Sequence, residues 1–154
     1  MFSTSRRQSG ATVVEMALIA PVFLLVLVAI IELSMMFFAT LTMQYAVREG
    51  ARFAITGRSA ESATGNQQRY ANILAKIQDN SLGMYERTDA QVSVNGTSYS
   101  KTSYTSGMFG APGDILVIQL DCSWPVTTPL LSSFFANGAY RFTVAATMRN
   151  EIFP

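Results

Sequence analysis

From Met16 to Ile31 the chain carries no charge, and a carboxylate stands at each end of that run, Glu15 before it and Glu32 after it. As a helix, Ala11 to Ile31 would rise about 31 Å at about 1.5 Å per residue, close to the hydrocarbon thickness of a bilayer. Arg6 and Arg7 precede the run, and no basic residue follows until Arg48. By the positive-inside rule, this asymmetry places the N-terminus in the cytoplasm and the rest of the chain outside. The sequence stays apolar beyond Glu32, with no charge from Leu33 to Val47. A helix from Ala11 to about Ile55 would measure about 68 Å. Its outer half must then pack against a domain or other helices.

A cleaved secretory signal would be shorter and end in a small-x-small site. Here Ala29 follows Leu27 by two positions and Ala39 follows Phe37, so neither fits. No cysteine stands directly after the run, which excludes a lipoprotein anchor. Ser9 and Gly10 stand where a twin-arginine signal would be apolar.

Glu15 is the informative residue. A carboxylate inside a spanning helix costs about 2.5–3.5 kcal/mol at the bilayer centre and less near the interface. A plain anchor gains nothing from it. Cleavage after Gly10 would make Ala11 a new amino terminus. Its ammonium could pair with Glu15 of a neighbouring subunit and offset the desolvation of both charges. Gly10 leaves the scissile bond unobstructed and can become extended. Pro21 removes the hydrogen bond to the Ala17 carbonyl and is expected to kink or loosen the helix. Ala46, Gly50 and Ala54 recur every four residues, a spacing that lets a strand or a second helix approach closely. Arg48, Glu49 and Arg52 form a solvated edge, and Gly57 is the expected stop.

Over its 154 residues the chain is 49% hydrophobic and 14% charged, with a net charge of +1. Loss of Arg6 and Arg7 would take that charge to −1, and neither value suits a nucleic-acid surface. The chain has no histidine, which excludes His-dependent acid–base chemistry and most zinc sites. No nucleotide loop or metal cluster is legible, so neither an enzyme nor a cofactor is expected. Cys122, the single cysteine, alternates with Leu116, Ile118, Leu120 and Trp124 and reads as a core residue.

The remaining residues read as an outer α+β domain. Residues 59–66 read as a loop. Tyr70, Ile73, Leu74 and Ile77 form one helix face, with Asn66 as a possible cap and Gly83 as the stop. Asn95-Gly96 marks a hairpin, and its overlapping glycosylation triplet is explained by the turn. Asp114–Trp124 and Tyr140–Arg149 alternate as strands. Leu130, Leu131, Phe134 and Phe135 suggest a short helix or apolar loop, and Ser98–Gly113 a mobile loop. The fold class is α+β and pilin-like, a long helix packed on a small antiparallel sheet with a short second helix. Three parts are expected: a leader (1–10), a transmembrane and assembly helix (11–57) and an outer globular domain (58–154).

The segments Gly10-Ala11-Thr12-Val13-Val14-Glu15-Met16-Ala17-Leu18, Pro21, Ile31-Glu32-Leu33 and Ala46-Val47-Arg48-Glu49-Gly50-Ala51-Arg52-Phe53-Ala54 resemble the TadE-like pseudopilins, minor pilins of the tight adherence system. The ending Met148-Arg149-Asn150-Glu151 is similar to the family's closing strand. The resemblance implies cleavage between Gly10 and Ala11 by a prepilin peptidase. It implies roles in membrane insertion and assembly for Glu15, Pro21 and Glu32. The partners it implies are membrane lipid, other minor pilins, the major pilin, an inner-membrane platform and an ATPase. It further implies a single-pass inner-membrane precursor that passes into an extracellular pilus for adhesion and biofilm formation. The major pilins of that system carry tyrosine after the glutamate and are shorter. Met16 and the added domain here point to a minor subunit. Two alternatives stay open: a pseudopilin of the type II secretion kind, and an uncleaved membrane-anchored periplasmic binding protein or chaperone.

Overall fold

A computed structural model describes residues 8–55, 63–99, 105 and 107–152. One helix, α1 (Gln8–Ile55), runs through Pro21 without interruption. It is followed by α2 (Ala63–Asn80), the single turn α3 (Met84–Arg87), and strands β1 (Gln91–Val94), β2 (Thr97–Tyr99) and β3 (Ile115–Pro125). A short turn, α4 (Pro129–Ser132), and a 3-10 turn (Ala136–Gly138) lead into β4 (Ala139–Arg149). The strands form one antiparallel sheet in the order β2-β1-β3-β4. The architecture is therefore α+β, a long apolar helix packed against a four-stranded sheet.

The two halves of α1 differ. From Gly10 to Ile31 every side chain is exposed except Ala20 and Ala29, which are half-buried. From Glu32 onward a buried stripe begins, carried by Met36, Ala39, Met43, Ala46, Val47, Ala51 and Ala54. These spacings of three and four keep one face of the helix on the domain. Strand β4 follows the same stripe. Tyr140 lies near Leu33, Met36 and Phe37. Gln44 Nε2 donates to the Ala145 carbonyl at 3.0 Å, and the Glu151 amide donates to the Ile55 carbonyl at 3.2 Å. The lengths agree: a strand of this size extends about 36 Å, and Glu32 to Ile55 rises about 35 Å.

The buried sheet face is built by alternation. Leu116, Ile118, Leu120, Cys122 and Trp124 of β3 and Val144 and Ala146 of β4 point inward. β3 and β4 pair along their whole length, from Ile115 opposite Arg149 to Pro125 opposite Ala139. Asn95 and Gly96 both have positive φ, 51° and 81°, as a two-residue type I′ turn requires. Cys122 is buried, in agreement with its place in the alternating set.

Several expectations need correction. Residues 63–66 belong to α2 and not to a loop, so Asn66 lies inside the helix and does not cap it. α2 ends at Asn80, and Gly83, at φ 79°, instead precedes α3. Met108 and Phe109 are core residues. Phe109 packs against Tyr70 at 6.4 Å and beneath the Arg69 guanidinium at 4.8 Å, so this part of the 98–113 segment is fixed by aromatic packing. Gly57 lies outside the described residues. The end of α1 is capped from α2, where the buried Arg69 donates to the Ala54 carbonyl. A cation there complements the negative end of the helix dipole, although burial lowers the Arg69 pKa.

Two predictions follow from this packing. A Cβ at Gly50 would lie 2.9 Å from Ile77 Cδ1 and closer still to Cγ1. Overpacking of this kind costs about 1–3 kcal/mol, more than the roughly 1 kcal/mol that helix propensity returns. Gly50→Val should therefore lower the denaturation midpoint of the detergent-solubilised chain, followed by Trp124 fluorescence, and the loss should shrink in an Ile77→Ala background. Burial also pushes the Cys122 thiol up to about 11 and, with smaller effects of nearby charged groups, the Tyr85 phenol up to about 12. An unfolded chain would release these protons nearer pH 8.5 and 10. The protons retained by the folded state contribute stability that is complete at neutral pH. It should be lost as pH rises from about 8.5 through about 12, and Cys122→Ala should remove the earlier part of that loss.

Candidate assembly site on the long helix

The two carboxylates that bound the uncharged run have opposite surroundings. Glu32 is 7% exposed. Its Oε1 accepts the Thr127 amide at 3.2 Å, and its Oε2 accepts the hydroxyls of Thr127 at 2.9 Å and Thr128 at 2.8 Å. Those residues lie where β3 has ended at Pro125 and Pro129 opens α4. Thr128, which precedes Pro129, is extended, at ψ 114°. The contact fixes the lower end of the domain to α1.

Glu15 lies 17 positions earlier, about 26 Å down the helix axis. It is exposed on the bare half of α1, and among the described residues it has no ion-pair partner. The expected processing position is equally open. Gly10 and Ala11 are exposed, and a Cβ at Gly10 would meet nothing within 4 Å. Gly10 is helical, because α1 already begins at Gln8. Arg6 and Arg7 lie outside the described residues.

Ala46 and Ala54 are fully buried and Gly50 is buried, with α2 seated on this stripe through Ile73 and Ile77. The close approach permitted by the small residues is thus occupied within the chain. The Glu49 and Arg52 side chains are 4.0 Å apart, with Arg52 largely exposed, so this pair contributes little to stability. No group of three or more His, Cys, Asp or Glu residues that could hold a metal exists among the described residues.

α1 is long and apolar enough to cross a membrane, and none of its most apolar window is buried by the domain. The geometry separates a bare, bilayer-length segment holding an unpaired acid from a domain-covered segment whose acid is satisfied. The TadE-like protein family model matches residues 10–52. The long helix is TadE-like. No curated protein and no solved structure matches the chain. The TadE-like segment contains Gly10, Glu15, Pro21, Glu32, Ala46 and Gly50, and its match ends two residues before Ala54. It suggests a minor pilin related to tight adherence pili and, generally, association with other pilus components.

The sequence places Glu32 on the helix but does not show Thr127 and Thr128 as its partners, nor Arg69 as the donor to the Ala54 carbonyl. The available signal was weak: two adjacent threonines in a segment without charge, between Pro125 and Pro129. Removing the Glu32 carboxylate should loosen this junction. Glu32→Ala should accelerate hydrogen exchange of the Thr127 amide and destabilise the outer domain by about 1–3 kcal/mol. Glu32→Gln, which retains an acceptor oxygen, should have a smaller effect.

Proposed function

We propose that this chain is a minor pilin of a tight adherence pilus, made as a membrane precursor and cut by a prepilin peptidase between Gly10 and Ala11. The observation that carries the reading is the unpaired Glu15 on the bare apolar half of α1, while Glu32, the acid that ends this half, is already satisfied within the chain. In the membrane or in a fibre core, Glu15 would then need its countercharge from another molecule. The ammonium freed at Ala11 of a neighbouring subunit is suited to this role, because pairing offsets the desolvation of two charges at once. The same bare helix supplies the apolar surface by which subunits would pack side by side. Lipid, the assembly platform and other pilins are its proposed partners, and surface attachment and biofilm formation its proposed biological role. The match over residues 10–52 favours this reading over a type II secretion pseudopilin or an uncleaved anchor.

In cells carrying the peptidase, intact mass of the membrane-extracted protein should show loss of residues 1–10. Gly10→Ala should block or slow that loss. Glu15→Ala should leave cleavage largely intact while reducing incorporation into sheared pili by tenfold or more. Mass corresponding to the full chain would remove the pilin reading. Normal incorporation of the Glu15 variant would remove the proposed role of its carboxylate.

A further inference from the structure

The segment from Pro125 to Tyr140 contains no charged residue. It forms a closed loop at the lower end of the sheet. The Val126 amide donates to the Gly138 carbonyl at 2.9 Å, which ties its two ends together. Asn137 and Gly138, at φ 57° and 65°, turn the chain back into β4. Within it, Phe135 is half-buried and meets Tyr140 edge-on at 6.2 Å. Its neighbour Phe134 is 82% exposed, and Leu130 is 54% exposed. Water alone is a poor environment for such side chains on a loop held this firmly.

Position along α1 identifies what would cover them. The Glu32 contacts with Thr127 and Thr128 hold the loop at the level where the bare helix ends. That level is about 31 Å above Ala11, one hydrocarbon thickness along the helix. On α1 itself, Leu33, Phe37, Phe38 and Leu41 continue the exposed apolar surface above Glu32. Outside α1, the other large exposed apolar residues stand near charges, Leu82 beside a groove that Asp79 also lines. Ile115 is paired with Arg149, and Ile152 adjoins Glu151, both at the far end of the domain. Outside α1, only the lower loop combines exposed leucine and phenylalanine, absence of charge and adjacency to the emerging helix among the described residues.

We infer that the loop from Pro125 to Tyr140 is a membrane foot, with Leu130 and Phe134 entering the lipid interface beside α1 while the precursor is in the bilayer. Apolar and aromatic side chains are favoured at that depth. Together, the helix and foot form two attachment points, and the Glu32 contacts between them set the height and tilt of the outer domain. The inference rests on the reading that Ala11–Ile31 spans the membrane.

The test is site-directed spin labelling of the full chain in phosphatidylethanolamine–phosphatidylglycerol vesicles, in a Cys122→Ala background. Single labels would be placed by Phe134→Cys, Leu24→Cys and Glu151→Cys, with Leu130→Cys as a second position in the loop. Power saturation compares accessibility to oxygen, which partitions into lipid, with accessibility to a water-soluble nickel chelate. Labels at 134 and 130 should favour oxygen, as the label at 24 should, and the label at 151 should favour the chelate. If the loop labels behave like 151 while 24 remains in lipid, the foot is overturned and the spanning helix stands. If 24 also behaves like 151, the spanning reading fails and the foot with it. If the loop labels are shielded from both reagents and show dipolar broadening that disappears on dilution with unlabelled protein, a second copy covers the loop and the lipid assignment is overturned.

Discussion

Glu32 accepts three hydrogen bonds from a connection 95 and 96 residues further along the chain. The arrangement of the outer domain depends on that contact. A carboxylate in an otherwise apolar stretch of helix would be costly if buried without partners. Here two threonine hydroxyls and a backbone amide replace water. The contact gives the helix a fixed boundary: below Glu32, among the described residues, only Ala20 and Ala29 are even half-buried, and above Glu32 the domain buries one face up to Ala54. Loss of the acid would leave the packed stripe intact but without its lowest polar tie.

The helix is unusual in serving two environments with little change in composition. Its lower half is exposed and its upper half is packed, yet both are rich in large apolar residues. What changes is the distribution of small residues. Ala39, Ala46, Gly50, Ala51 and Ala54 form the contact face above Glu32, and Ile77 of α2 lies against Gly50. Below it, Val13, Leu18, Phe23 and Ile30 project in all directions and remain open. Close packing within the chain and readiness for an apolar surrounding are thereby assigned to separate lengths of one helix. The TadE-like match extends across both.

Local periodicity made most of the elements legible. The long apolar run, the Tyr70–Ile77 face, the Asn95-Gly96 turn and the alternation in β3 and β4 each arise from neighbouring residues, and each corresponds to an observed element. Long-range contacts were less accessible. The small-residue spacing at Ala46, Gly50 and Ala54 indicated a close approach but not Ile77 as its partner. Met108 and Phe109 sit amid Ser, Thr and Gly, a composition that suggests an exposed loop, yet the neighbouring Phe109–Tyr70–Arg69 packing is tertiary. Asn66 resembled a cap because of its residue type, whereas α2 begins three residues earlier. Glu15 was conspicuous in the sequence. Its contrast with Glu32 emerged only once the fold had supplied Thr127 and Thr128.

The lengthwise pairing of β3 with β4 has a mechanical consequence. β4 runs beside α1 and ends where the Glu151 amide reaches Ile55, so strand and helix share nearly the same long axis. Tension applied along that axis would load the ladder from Ile115–Arg149 to Pro125–Ala139 in shear, with its hydrogen bonds resisting together. A sideways pull would instead peel the strands apart one bond at a time. The domain is therefore stiffest in the direction in which its own helix points.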